Sequence, residues 1–189
     1  MKKNLLLISA LALSVAASAR IAEVGRQVQI SPNVARQAVA RMAENPLTVE
    51  ADNIILTAPD GSVTRIHPVD CAGYIWPSMS PDGSRVMFVA AGKGVYITDL
   101  EGSVLTVIPS LEAPVWVSDD VIAAMNTTDD GHQFSSSQIV LVRVDGSESQ
   151  AVTAPESFTF EPIAAADGSA LIYHTIDGVF YQVSLTLNK

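Results

Sequence analysis

The chain has 189 residues, of which 48% are hydrophobic and 16% charged, so it holds enough apolar side chains for one packed domain and too few charges for a disordered chain. Eleven basic against 20 acidic side chains give a net charge of −9. This sign excludes nucleic acid and anionic lipid as expected partners, because both are bound through clustered Lys and Arg. Most of the acidity lies in residues 45–189, where 5 basic side chains stand against 18 acidic ones.

Residues 1–19 have the pattern of a secretory signal peptide. Lys2 and Lys3 give a positive start, residues 5–15 form an apolar run, and Ala17-Ser18-Ala19 is a small-residue cleavage site. We expect cleavage after Ala19, because the apolar run is shorter than the roughly 20 residues that cross a bilayer. The protein is therefore predicted to be periplasmic or secreted, with no membrane insertion after signal cleavage.

Residues 20–46 are predicted to be an N-terminal helical segment. Ser31 suits the N-cap and Pro32 the first helical position, and Asn45-Pro46 ends the pattern. Apolar side chains recur at helical spacing between them, at Val34, Ala38 and Met42. This basic helix is expected to pack on the acidic body or on another chain, or to serve as a loose tether.

From residue 47 to residue 189 the pattern changes to short β-branched and aromatic runs separated by Asp-Gly turns, which indicates antiparallel strands. Two series of residues repeat here: prolines 37 and 48 residues apart (Pro77, Pro114, Pro162) and turn glycines 41 and 44 residues apart (Gly61, Gly102, Gly146). A period of about 40–45 residues is typical of propeller blades. We predict an all-β fold, a partial β-propeller of about three to three and a half four-stranded blades with a short N-terminal α-helix.

One of these repeats resembles a known family. Residues 76–88 read Trp-Pro-Ser-Met-Ser-Pro-Asp-Gly-Ser-Arg-Val-Met-Phe, and residues 95–102 read Val-Tyr-Ile-Thr-Asp-Leu-Glu-Gly. This pair resembles the WD-like blade repeat of the TolB-like propellers. The second copy keeps Trp116 but loses Pro-Asp-Gly, and the third has Ala165-Ala166 in place of Ser-Pro. The resemblance covers about residues 53–189 and implies the fold much more than the function.

The blade number raises the question of how the ends of the propeller are covered. Closed propellers usually have 4–8 blades, and an uncovered blade exposes apolar faces. Three arrangements follow from the sequence: a homodimer completing a ring, a half-propeller capped by the N-terminal helix and the 127–138 insertion, or a ring completed with a different protein. We favour the first.

The sequence contains no motif of a known catalytic, phosphate-binding or paired-cysteine metal site, so we expect no catalytic residues, no metal and no cofactor. His67, Asp70 and Cys71 lie close together, but Pro68 interrupts the group and no second pair completes a tetrahedral site. Cys71, the only cysteine, is expected to be a buried small hydrophobic residue.

Two other histidines and several aromatic and acidic residues are candidate site residues. His132 falls in a long polar hairpin, and His174 falls in a strand pattern as a half-buried packing residue. The aromatic residues Tyr74, Trp76 and Trp116 are expected near the channel or the blade seams. An acidic channel would suit a cation or a basic peptide, and its carboxylates would be Asp70, Asp119 and Asp120.

The function predicted from these features is that of a non-enzymatic exported β-propeller scaffold that binds a protein or peptide partner in the cell envelope. Two alternatives stay open. One is a glycan- or small-molecule-binding propeller that is accessory to a hydrolase, and the other is an enzyme with an acidic channel site. The binding residues themselves are not predicted by any motif in the sequence.

Overall fold

A computed structural model describes residues 20–41 and 45–188. The predicted signal peptide lies outside the described residues, and so does Met42 of the predicted helix. Within the described part of the chain, no helix is long and apolar enough to cross a membrane.

Short strands make up most of the described residues, together with one α-helix, α1 (Pro32–Arg41), and one 3-10 turn (Pro155–Ser157). The strands are β1 (Ala22–Val24), β2 (Val28–Ile30), β3 (Leu47–Glu50), β4 (Asn53–Thr57), β5 (Val63–Ile66), β6 (Tyr74–Met79), β7 (Val86–Ala90), β8 (Gly94–Thr98), β9 (Val104–Ile108), β10 (Glu112–Ser118), β11 (Val121–Asp129), β12 (Phe134–Arg143), β13 (Ser149–Ala151), β14 (Thr159–Ala164), β15 (Ala170–Thr175) and β16 (Phe180–Leu187).

The strands form four antiparallel sheets, which we call blades 1 to 4. Blade 1 is β3-β4-β5, blade 2 is β6-β7-β8-β9, and blade 3 is β10-β11-β12-β13. Blade 4 is β14-β15-β16, with β1 and β2 both paired to β16. The predicted partial β-propeller is confirmed. The 127–138 insertion, predicted as a polar hairpin, is the far end of the long β11–β12 hairpin.

The first described residues complete the last blade. β1 pairs with the end of β16 and β2 with its start, and the Gly25 N–H donates to Ser184 O between them. Residues 22–30 thus serve as the fourth strand of blade 4. Among the described residues of the segment 20–46 predicted as helical, only α1 is helical, because the chain before Ser31 pairs with the open edge of β16 instead.

Three apolar clusters hold the blades together, one at each interface. Alternate residues of a middle strand point to opposite faces, so both faces of β7 and β11 are buried. In β7, Val86 and Phe88 pack towards blade 1, and Met87 and Val89 pack towards blade 3. The third cluster joins blade 3 to blade 4 and includes Ile21. Among the described residues no such cluster joins blade 4 to blade 1, so the blades form an open arc.

The two ends of the arc differ in chemistry. In blade 4, Leu171 and Tyr173 pack towards blade 3, so alternation turns Ile172 and His174 to the outward face. Val28 of β2 pairs with Gln182 on that outward face and is exposed. In blade 1, the outward face carries polar side chains such as Arg65, whose guanidinium lies 3.8 Å from the Glu50 carboxylate.

Helix α1 begins as predicted, since the Val34 N–H donates to Ser31 O at 3.0 Å. It packs lightly: Ala35 is buried and Ala38 half-buried, whereas Val34 and Val39 are exposed. The helix is therefore held on one narrow side, and it lines one cavity together with residues of the innermost strands of blades 2 to 4.

Candidate functional site: the inner cavity

The innermost strands of blades 2, 3 and 4 share one irregularity. Each has a break in its pairing register just before a proline, at Ile75/Ser78, Glu112/Val115 and Phe160/Ile163. In each, the residue before the proline has a left-handed backbone, with φ of 52° at Trp76, 45° at Ala113 and 51° at Glu161. Residues other than glycine rarely adopt this left-handed backbone conformation, and the bulge imposes it here.

These three bulges line one cavity of about 740 Å³, which lies between the inner strands and α1. Its lining is Pro32, Ala35, Arg36, Val39, Trp76, Ala113, Pro114, Val115, Glu161, Pro162, Ile163, His174 and Phe180. The volume falls within the roughly 300–1,000 Å³ typical of ligand sites. Blades 2, 3 and 4 therefore each place the residue before the proline in the lining of this cavity. These residues are Trp76, Ala113 and Glu161.

The cavity is mainly apolar, with three polar side chains. The His174 Nε2 lies 3.4 Å from a Glu161 carboxylate oxygen, and the His174 ring packs between Phe160 and Phe180 at centroid distances of 5.8 and 5.5 Å. Arg36, on the helix, has its guanidinium 3.4 Å from the Asn33 side-chain oxygen. The arrangement suits an apolar ligand held by aromatic rings and oriented by a few polar contacts.

The bulges also keep the inner edges of blades 2 to 4 from pairing with a further strand. A proline at Pro77, Pro114 and Pro162 removes a backbone donor, and the bulge breaks the regular spacing of the rest. A ligand of this cavity is therefore bound through side chains rather than by sheet extension.

The three aromatic residues predicted near the channel or the seams divide between the two places. Trp76 is at the cavity and half of its surface is exposed, at 50%. Tyr74 is in the seam of blades 1 and 2, edge-on to Phe88 at 5.1 Å, with its hydroxyl donating to Val69 O at 2.8 Å. Trp116 packs in the seam of blades 2 and 3, beneath the Arg85 guanidinium at 5.7 Å.

The acidic channel considered from the sequence is not assembled. Asp70 comes just before β6, whereas Asp119 and Asp120 follow the end of β10. The ends of β6 and β10 lie together, since the Asp82 N–H donates to Asp119 Oδ1 at 2.9 Å. Asp70 is therefore at the opposite end of the inner strands, and the three carboxylates do not share one site.

His67 and its neighbours form a surface cluster rather than a metal site. The His67 Nε2 lies 3.1 Å from Asp70 Oδ1 and its Nδ1 lies 2.6 Å from Asp52 O, and these contacts, Asp70 first, raise the pKa of the imidazole. Cys71 is half-buried, with its Sγ 3.2 Å from Gly73 O. In the described residues no three potential ligands come together to hold a metal ion.

The turn aspartates have a structural role. Asp82 accepts hydrogen bonds from Ser80 Oγ at 2.6 Å and from the Ser84 N–H at 3.0 Å. These bonds, that of Ser80 first, lower the pKa of Asp82 to about 2. The carboxylate closes the turn between β6 and β7, which is the role that the Asp-Gly pattern predicts.

The pre-proline positions are the part of the site that the sequence analysis missed. Pro77, Pro114 and Pro162 mark the repeat in the sequence, but this spacing did not predict that the residue before each proline turns into the cavity. The available signal was a proline inside a strand, because a proline there marks an edge or a bulge.

Comparison with known proteins gives structural likeness only. No family model matches the sequence, and no curated protein matches it. Among solved structures, a protein of Agrobacterium tumefaciens described as TolB matches with a TM-score of 0.54 and 14% identity, over 76% of this chain and 57% of that one. The chain has the blade fold of a TolB-type propeller. TolB of Acinetobacter baumannii gives a TM-score of 0.48 and 16% identity, over 76% of this chain and 43% of that one. The chain thus spans about half the length of these TolB-type propellers.

Proposed function

We propose that this chain is a non-enzymatic, exported binding protein whose inner cavity takes an apolar segment of a protein or peptide in the cell envelope. The observation that carries the proposal is Trp76, a large aromatic side chain that the β6 bulge turns into the cavity and leaves half exposed. Left-handed backbone at a non-glycine residue costs about 1–3 kcal/mol and tends to occur at functional sites. Export rests on the predicted signal peptide.

The cavity chemistry supports binding rather than catalysis. His174 has Glu161 as its charged neighbour, and among the described residues that line the cavity there is no serine, threonine, cysteine or lysine. Acyl transfer through an enzyme intermediate ordinarily uses a hydroxyl, thiol or amine nucleophile within reach of a base. Apolar walls with one exposed Trp suit recognition, because aromatic anchors dominate the energetics of protein interfaces.

Site-specific crosslinking in the native host tests this proposal. A photoreactive benzoylphenylalanine replaces Trp76 in one variant and Val104, which is 43% exposed on the outermost strand of blade 2, in the matched control. We expect one discrete protein adduct from position 76 and none of that size from position 104. Adducts that are absent at position 76, or the same at both positions, would count against the proposal.

A glycan ligand is the second candidate, because an exposed Trp in a cavity that also contains a carboxylate suits stacking on a sugar ring. Thermal unfolding in the presence of a panel of sugars and peptidoglycan fragments distinguishes it. A ligand that binds only the folded state raises the Tm by mass action. A sugar that raises the Tm of the wild type but not of Trp76→Ala would replace the peptide proposal.

A further inference from the structure

Among the described residues, blade 1 has three strands, one fewer than the other blades. Blades 2 and 3 have four consecutive strands, and blade 4 reaches four by taking in residues 22–30. The turn after β4 contains Asp60-Gly61 and matches the turns after β8 and β12, so β3, β4 and β5 correspond to the second, third and fourth strands of a blade. β3 packs beside β6 as β7 packs beside β10. The missing strand is the innermost one.

This leaves β3 with a free edge. The Thr57 N–H donates to Pro46 O at 3.2 Å, so the alternation of an antiparallel pair turns the backbone groups of Leu47 and Val49 away from β4. The Leu47 N–H is satisfied by the Asn45 side chain. Among the described residues, no hydrogen bond uses the Val49 N–H or C=O, and Val49 is 39% exposed.

The free edge of β3 lacks the features that keep the other inner edges from pairing with a further strand. Its register with β4 is unbroken from Leu47 to Glu50, and it contains no proline. The inner strands of blades 2 to 4 each carry both a bulge and a proline. An edge without such protection is a template for pairing with another strand.

We propose that the free edge of β3 is a strand-addition site for an extended, basic segment of another protein, which completes blade 1 as its innermost strand. This edge lies on the inner side of the arc, with β3 packed beside β6. The exposed carboxylates of Glu50 and Asp52 stand at its end, where Arg65 lies 3.8 Å from Glu50 and the His67 ring lies 3.9 Å from Asp52. The Asp70 carboxylate lies 3.1 Å from the same ring, so three carboxylates stand against one guanidinium and one imidazole and favour basic residues at the start of an antiparallel partner. Blade 4 is completed in the same manner by a remote segment.

This site uses none of the cavity residues, so the inference goes beyond the function proposed above and can fail without it. The probe is a fluorescein-labelled peptide that copies residues 74–79, the innermost strand of blade 2, with two lysines added at its N-terminus. Its affinity for the protein, with residues 20–189, is measured by fluorescence anisotropy. We expect saturable binding, weakened at least tenfold when the two lysines of the probe are replaced by glutamates.

Two matched proline variants locate the binding. Val49→Pro removes the outward N–H of β3, and Val63→Pro removes the outward N–H of β5 on the opposite edge of the same blade, where Val63 is 50% exposed. Neither N–H belongs to the ladder with β4, so both variants are expected to fold, which thermal unfolding checks. We expect Val49→Pro to weaken binding at least tenfold and Val63→Pro to change it less than twofold.

Amide hydrogen exchange on the wild type gives a readout that does not depend on either variant. The Val49 amide should exchange at least tenfold more slowly when the probe is bound, because its N–H then donates to the added strand. Absence of saturable binding, equal weakening by both proline variants, or an unchanged exchange rate at Val49 would each overturn the inference.

Discussion

At the scale of single residues, the turn aspartates make the stability of the protein depend on pH. The folded pKa of Asp82 is about 2, below the unfolded value of about 3.9, so its contribution is present above pH 4 and lost as the pH falls towards 2. We expect Asp82→Asn to lower the unfolding midpoint at pH 7 and to approach the wild type near pH 2. Urea unfolding between pH 2 and pH 7 measures this.

The matched control for that titration is Asp177→Asn. Asp177 lies in the turn between β15 and β16, and within the described part of the chain its carboxylate accepts no hydrogen bond. Asp177→Asn should unfold at nearly the same urea concentration as the wild type at pH 7, because it removes no hydrogen bond from the described residues. A constant gap between Asp82→Asn and the wild type across the whole range would contradict the role given to Asp82.

Some conformations of single residues can be predicted from the sequence, and others cannot. Asp-Gly pairs predict turns, because Gly takes positive φ and Asp bonds the backbone two residues on, and Gly83 has φ of 72° with Asp82 bonding Ser84. The left-handed backbone of Trp76 was not predictable in this way. A residue before proline is ordinarily extended, and only the packing of β6 in the blade overrides that preference.

At the scale of elements, the strand formed by residues 22–30 is clamped by a neighbouring blade. Gln150 of β13 accepts a hydrogen bond from Ala22 N–H at 3.0 Å and donates to Ala22 O at 2.9 Å, and Ala22 is fully buried. We expect Gln150→Ala to lower the free energy of unfolding by about 1–3 kcal/mol, since it leaves both groups of Ala22 unpaired. Denaturant unfolding measures the loss.

Gln29→Ala is the control for the clamp, because Gln29 lies exposed on β2 and pairs only through its backbone. A surface change of this kind should stay within about 0.5 kcal/mol. Equal losses for the two glutamines would mean that the side chain of Gln150 does not hold the strand.

The elements that the sequence predicts best are the hairpins, where a turn signal stands between two strands. β1 and β2 were missed because a strand of three residues is too short to show a period of two, and its partner β16 is more than 150 residues away in the chain. The helix start at Pro32 was found because its signal is local. The fold was thus predictable wherever neighbouring residues determine it.

At the scale of the whole molecule, a homodimer that completes a ring stays a prediction. Such a ring covers the outward face of blade 4, on which Val28 is 55% exposed. We expect light scattering to give twice the mass of one chain, and Val28→Asp to restore the mass of a single chain because it buries a charge at the joint. Val104→Asp, on the outer strand of blade 2, should leave the dimer intact.

A single-chain mass for the wild type at every concentration would contradict the dimer. The ends of the arc would then be covered by a different protein or within one chain, where α1, whose residues line the cavity of the inner strands, is the element placed to do so. Both alternatives were also open from the sequence. Choosing between them from sequence was not feasible, because the number of blades does not say what covers the two end faces.

The pairing of residues 22–30 with β16 sets an order for folding. During synthesis or export the N-terminal strand appears first, and the strand it must pair with appears last. Blades 2 and 3 are built from consecutive strands and can assemble early, whereas the fourth blade must wait for residues 180–187. A chain released before β16 is complete would leave residues 22–30 without the strand that they pair with, so the fourth blade forms only when these two distant segments meet.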